Sequence, residues 1–373
     1  MKLSVFAVGD IMLGETPLSF NFGVKSIGKK KGMHYFFKNV YELFNSGDIV
    51  FGNLEAPLSD LTDRIGFDAD FFRGDPNAGV ALKQSNFSVL SVANNHIMEH
   101  GNGSFQKTIN NLLQNEIIPI GMNNNIKLIK KNNYCIAFLA YSFIEDGIKK
   151  PLYNKIETLE KIIADINSIR IDADFIILSL HWGDEYVPFP SPSQVSLGRR
   201  LIDSGADIIL GSHPHVLQGY EIYKNRPIIY SLGNFIFENT FIPNTRYSAI
   251  ACIELDDNNG KINLKMIPVI LDKQEYLPLI ASGSQANMIM NNIEEVRKLL
   301  ENRSVENYSA DIGNYSKLIT KYKRSAKANM KVHYLKNILR YAPRYTLSIL
   351  YKHFQKRFFN FTRRYLREVK NNE

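Results

Sequence analysis

Residues 174–183 read DFIILSLHWG and residues 206–215 read ADIILGSHPH. Each holds a short apolar run with paired isoleucines, too short for a typical globular helix. Each also stops at a histidine, so both read as buried strands that end in polar groups. Between them, the Pro/Ser-rich turn PFPSPS leads into a helix expected at about 192–204. Strand, helix, strand is the repeating unit of an α/β fold with a largely parallel sheet. His213 and His215, one residue apart just past the second run, can aim at one centre when Pro214 turns away.

The pattern recurs outward in both directions, in LSVFAVGD (3–10), DIVFGNLE (48–55), FSVLSVANNH (87–96), YCIAFLAYS (134–142) and PIIYSLGNFIF (227–237). Helices are expected at about 102–116 and 155–170, and an Asn-Gly step in DDNNG predicts a hairpin between two late strands. Ligands of open α/β sheets gather beyond the carboxyl ends of the strands. Asp10, Asn53, Glu55, Asn94, Asn95, His96, His181, His213 and His215 are therefore expected on one rim. Taken singly, each has a plain structural role: Asp10 as a turn cap, Asn53 and Glu55 as loop residues, Asn94 to His96 as caps of the next helix, and His181 as a hydrogen-bonded histidine. Taken together they form a nitrogen and oxygen donor set suited to one or two borderline divalent ions such as Mn, Fe or Zn. Calcium would call for more oxygens.

The blocks GDIMLGE, GNLEAPL, ANNHIMEHG, LHWGDEY, GSHPHVLQGYE and YSLGNFIF, in this order over about residues 1–270, resemble the CapA-like capsule-synthesis proteins of the metallophosphoesterase superfamily. The resemblance implies a four-layer αββα sandwich with a metal site at one edge. It also implies a role in making or exporting a capsular or γ-glutamyl polymer. Carried over by position, Asp10 and His215 would serve a first metal. Glu55 would bridge, although Asn53 lies closer to the superfamily's Gly-Asp, and Asn95, His181 and His213 would serve a second metal. His96 would contact or protonate the departing oxygen. The superfamily's first motif is Asp-x-His where this chain has Asp10-Ile11-Met12, so the first metal is expected to be the weaker. Arg73 in FFRGDP is expected either to neutralise substrate charge or to form a surface ion pair. Glu185 and Tyr186 are expected to orient His181 or touch substrate, and Glu99 to cap a helix or support a ligand.

A chain of 373 residues, 45% hydrophobic and 22% charged, is ordered rather than disordered and large enough for one big core with an appendage. The expected divisions are a body at 1–275, a connector with a short helix near 292–302 at 276–316, and a basic helical extension at 317–373. Cys135 and Cys252 fall in apolar runs and are expected to be inert core thiols. The opening MKLSVFAVGD lacks the core of a signal peptide and no run suits a membrane span, which gives the expectation of a soluble, cytoplasmic protein. Residues 317–373 hold 16 of the 45 basic residues against two acidic ones, leaving the body net negative. Pro343 divides this tail into helices expected at about 317–341 and 345–369. In the second, Leu347, Tyr351, Phe354, Phe358, Phe361 and Tyr365 form one apolar stripe. Such a tail suits the surface of an anionic membrane at the inner leaflet, or packing on the body or a second copy. Nucleic acid is not expected, since no recognition module accompanies the charge. Two functions stand side by side: a metal-dependent hydrolase or transferase acting on a phosphoester or acyl/amide linkage of a capsular polymer or its precursor, and a metal-stabilised scaffold subunit of a capsule-synthesis complex.

Overall fold

A computed structural model describes residues 2–122, 126–156, 158–256 and 260–347. Two sheets carry the body. The first is eight-stranded, in the order β14 (Pro278–Ile280), β13 (Lys261–Leu271), β12 (Tyr247–Asp256), β1 (Lys2–Ile11), β2 (Ile49–Leu54), β3 (Phe87–Ser91), β4 (Ile118–Ile120), with β11 (Asn234–Ile236) beside the end of β1. Strands β1 to β4 are parallel, and β12 to β14 continue the sheet antiparallel. The second is six-stranded, in the order β5 (Lys127–Lys131), β6 (Tyr134–Ser142), β7 (Phe175–His181), β8 (Ile208–Ser212), β10 (Arg226–Leu232), β9 (Leu217–Tyr223). Its centre is parallel and its two edge pairs antiparallel.

The two-residue period of a strand sorts side chains between two cores. Ile136, Phe138, Phe175 and Ile177 join the core shared with the first sheet. Their neighbours Ala137, Leu139, Ile176 and Leu178 join a second core with α5 (Leu159–Ile169) and α6 (Pro192–Asp203). Phe51 stacks on Phe138 across the sheets, with centroids 6.2 Å apart. Against the first sheet lie α1 (Val24–Lys31), α2 (Tyr41–Asn45), α3 (Ala78–Gln84) and α4 (Gly101–Gln114), through residues such as Phe44, Leu82 and Phe105. The arrangement is the expected αββα sandwich.

Helix α6 begins where PFPSPS predicted. Ser191 accepts from the Gln194 amide while Gln194 returns a bond to the Ser191 amide, a capping box with Pro192 in the first turn. Several elements escaped the sequence reading: α1 to α3, and the short or edge strands β4, β5, β9 and β14. The stretch expected to be a connector is built into the body, because α7 (Gly283–Leu300) buries Ile289 and Ile293 in one core and Val296 and Leu300 in the other, and α8 (Val305–Ile312) buries Tyr308. The cysteines need a correction. Both lie on strands but are only partly buried, and both are free. The antiparallel pair β12–β13 is present, while its DDNNG turn and the second tail helix with its stripe beyond Leu347 lie outside the described residues. The first tail helix, α9, runs Tyr315–Lys336, and the chain divides into compact units Met1–Asn329 and Met330–Glu373.

Candidate metal centre

Strand register brings the site together. Asp10 at the end of β1 sits opposite Asn53 of β2 and Asn234 of β11, Asn53 opposite Ser91 of β3, and His181 at the end of β7 opposite Ser212 of β8. Gly9 permits the close approach beside Asp10. A Cβ there would fall 1.9 Å from the Gly233 carbonyl oxygen, and the Asp10 amide donates to that same oxygen at 3.0 Å. The Glu55 amide donates to Ile11 O at 2.9 Å, which ties the loop after β2 to the end of β1.

Among the described residues, two sets of donor atoms lie within 4.8 Å of one another, Asp10 with Glu55 and His215, and Glu55 with His181 and His213. Glu55 belongs to both. The Glu55 Oε1 stands 3.8 Å from His181 Nε2, 3.7 Å from His215 Nε2 and 3.8 Å from His96 Nε2. These gaps are too long for hydrogen bonds and are the spacing of atoms that can share an ion. Neither oxygen of the fully buried Glu55, nor His213 Nδ1, makes a hydrogen bond to any described residue. Buried polar atoms are rarely left unpaired, so this donor set fits a divalent cation. Asn95 Oδ1 lies 2.8 Å from His181 Nε2 and extends the second set.

The supporting contacts fix which atoms face inward. His215 Nδ1 lies 2.9 Å from Asn234 Oδ1 and 3.4 Å from Asp10 Oδ2, which leaves Nε2 toward Glu55. His181 Nδ1 is held by Ser212 Oγ at 3.1 Å and by Asn53 Nδ2 at 3.3 Å. Asn53 also donates to Asp10 Oδ1 at 2.8 Å and accepts from Asn94 at 3.2 Å, so its amide is consumed in bracing other residues. The His213 amide donates to Asp10 Oδ2 at 3.2 Å. His213 and His215 both adopt left-handed backbone, with φ of 94° and 59°, a local cost of roughly 1–3 kcal/mol each that the surroundings must offset.

Burial, then the neighbouring Asp10 carboxylate, pushes the Glu55 carboxyl well above its ordinary range. Burial and the other imidazoles hold His181 and His213 well below theirs, so both are neutral and fit to ligate. Burial pulls His215 down as well, but the Asp10 hydrogen bond and charge outweigh it and the net shift is upward.

The other expected residues are placed as follows. His96 has its Nδ1 2.7 Å from Glu99 Oε1, and its ring stacks on Phe72 at 4.4 Å. Glu99 therefore supports a histidine rather than capping a helix, while Asn94 caps the turn by accepting from the amides of His96 and Ile97. Neither Glu185 nor Tyr186 orients His181, which Ser212 and Asn53 hold. The Tyr186 ring lies 6.3 Å from that of His215 and its amide donates to Pro214 O at 2.8 Å. Glu185 acts on Glu55 and His215 through its charge alone. Arg73 reaches Asp70 only at 3.5 Å. Met12, fully buried, packs with Ala56 and Phe237 in a small apolar cluster. Asn234, Ser212 and Phe72 were missed by sequence reading, although the first two follow the same pattern of a polar residue at a strand end.

Residues 4–239 match the family described as bacterial capsule synthesis protein PGA_cap. The chain belongs to that family. It is 32% identical to the capsule biosynthesis protein CapA of Bacillus anthracis over 303 residues, 75% of this chain and 70% of that one. It is 31% identical to the PGA biosynthesis protein CapA of Bacillus subtilis (strain 168), covering 74% of each. Among solved structures, a Mycoplasma pneumoniae phosphatase is 14% identical, with a TM-score of 0.47, over 74% of this chain and 96% of that one.

Proposed function

We propose that the chain is a divalent-metal-dependent hydrolase or transferase acting on a phosphoester or acyl/amide linkage during assembly of a capsular polysaccharide or poly-γ-glutamate. The observation that carries the reading is the fully buried Glu55 carboxyl, without a hydrogen-bond partner among the described residues, at the meeting point of Asp10, His181, His213 and His215. Asp10, Glu55 and His215 would hold one ion, and Glu55, Asn95, His181 and His213 a second, with Mn, Fe or Zn matching the donors. Such ions, when bound, polarise substrate oxygens and lower the pKa of water. The first position has the poorer donor set, because Met12 is committed to apolar packing.

The chain's own residues supply the rest. His96 can hold or release a proton at Nε2, 3.8 Å from Glu55 Oε1, because Glu99 and the Phe72 ring fix its orientation. Arg73, which follows Phe72 in sequence, would supply positive charge, and Glu185 and Tyr186 would serve as substrate contacts. A fold alone does not make an enzyme.

The test is metal analysis of the purified chain together with turnover assays on phosphodiester and γ-glutamyl substrates. The expected result is bound metal and turnover in the wild type. His213→Ala should lose both, and His96→Gln should keep metal while losing turnover of substrates with poor leaving groups. Bound metal with no turnover anywhere would replace this reading with the scaffold role in a capsule-synthesis complex.

A further inference from the structure

Two segments meet at Gly14. The Lys25 amide donates to Gly14 O at 3.1 Å, and a Cβ on Gly14 would fall 2.7 Å from the Arg73 amide nitrogen. Lys25 and Arg73 thus enter one corner from opposite sides. The Arg73 side chain is only 13% exposed. Its Nη1 donates to Asp60 O at 2.7 Å and its Nη2 to Asp70 Oδ1 at 3.5 Å, while its Nε is buried with no partner among the described residues. Lys25 is partly buried, and its ammonium makes no hydrogen bond or ion pair with any described residue.

Two partly desolvated cations near one another are costly unless an anion joins them. The carboxylates near the corner fill that role only in part. Asp70 pairs with Arg73 Nη2 at a long 3.5 Å and is half exposed. The oxygens of Glu15 are taken by the amides of Asn21, Gly23 and Ser26. Burial, then the Arg73 charge, pulls the Lys25 ammonium below its usual range, with Asp70 and Glu15 offsetting part of the shift. The corner adjoins the candidate metal centre, since Phe72, the residue before Arg73, is held at a φ of 52° and stacks on His96.

We propose that Lys25 and Arg73 form a subsite for a substrate oxyanion, a carboxylate or a phosphate, separate from the metal-binding donors. The proposal rests on reading the neighbouring centre as the reacting site. A guanidinium presents a planar fork to an oxyanion and an ammonium adds a compact charge. Each residue of a γ-linked glutamyl chain carries one free α-carboxylate and a sugar phosphate carries a phosphoryl group, so either supplies the matching anion.

The experiment titrates the full chain as purified with a γ-linked glutamate trimer and separately with N-acetylglucosamine 1-phosphate, by calorimetry at low salt. The wild type should bind at least one of the two, and the arm that binds identifies the source of the anion. Lys25→Met should weaken that binding at least about tenfold, Lys25→Arg should retain most of it, and Lys30→Met, exposed on the same helix, should leave it unchanged. Binding should also fall as salt rises. If neither anion binds, or Lys25→Met binds as tightly as wild type, the proposal is wrong. The readout is the change in affinity on altering Lys25, not metal content or turnover, so its failure leaves the reading of the metal centre standing, and loss of that reading would leave the Lys25 effect in place.

Discussion

At the scale of single residues, the gathering of Asp10, Glu55, His181, His213 and His215 was legible in the sequence because each stands at or just past the end of an apolar run. Their supports were not, since bracing depends on which strands are neighbours. Asn234 reaches His215 only because β11 lies beside the end of β1, although 19 residues separate the two in sequence. The choice between Asn53 and Glu55 was likewise undecidable in one dimension. It turns on Asn53 having spent its amide on Asp10 and Asn94. Asn234 gives a direct test of bracing. Asn234→Ala should leave every donor in place yet weaken metal affinity by about 10–100-fold, as loss of an outer hydrogen bond to a ligating histidine typically does. Titration with Mn or Zn against a chelating indicator measures this, and an unchanged affinity would show that Asp10 alone suffices to orient His215.

At the scale of elements, the strands were recovered better than the helices that flank the site. Strands β1, β2, β7 and β8 carry their pattern in their own residues. Helix α1 does not, because its N-terminus is fixed from afar. The buried Glu238 accepts from the amides of Thr16 at 2.6 Å and Val24 at 2.5 Å, while Glu15 holds the amides of Asn21 and Gly23. Two carboxylates over 200 residues apart thereby anchor the segment that carries Lys25. Burial, then the charge of Glu15, pushes the Glu238 carboxyl up to about 8, while the amide donors pull the other way. A carboxyl raised on folding adds stability that is fully present below its unfolded value of roughly 4.3 and is lost as pH rises through about 8. The difference in unfolding midpoint between wild type and Glu238→Gln, followed from pH 5 to pH 9 in denaturant, should therefore move in favour of the variant as pH rises. A difference independent of pH would mean that Glu238 keeps one protonation state throughout.

At the scale of the whole molecule, the sandwich followed from the repetition of strand-end motifs, but the extent of the body did not. Residues beyond 275 look polar in sequence because α7 is amphipathic, and only the two cores show where its Ile289, Ile293, Val296 and Leu300 are placed. No helix among the described residues is long and apolar enough to cross a membrane. The basic tail is instead predicted to bind membranes from one side: the full chain should co-sediment with anionic but not neutral vesicles at low salt, and release at about 1 M salt, where the Debye length is about 3 Å. Deleting residues 348–373 should abolish the binding. The cut spares α9, in which Ala326 is buried and Lys323 lies 3.7 Å from Asp184. Full-length chain that ignores anionic vesicles would overturn the membrane role.

The candidate donors come from both leaves of the sandwich, Asp10 and Glu55 from the first sheet and His181, His213 and His215 from the second. An ion seated among them would act as a clasp between two halves that otherwise meet through apolar packing, their connections and a few hydrogen bonds such as that from the His213 amide to Asp10. Since the unfolded chain has no such clasp, occupancy adds free energy by mass action, about 2.7 kcal/mol when the free ion stands at a hundred times its dissociation constant. With an ion so held, the resistance of this protein to unfolding would become a function of how much metal its surroundings supply, and scarcity of the ion would reach the fold as well as any chemistry at the site.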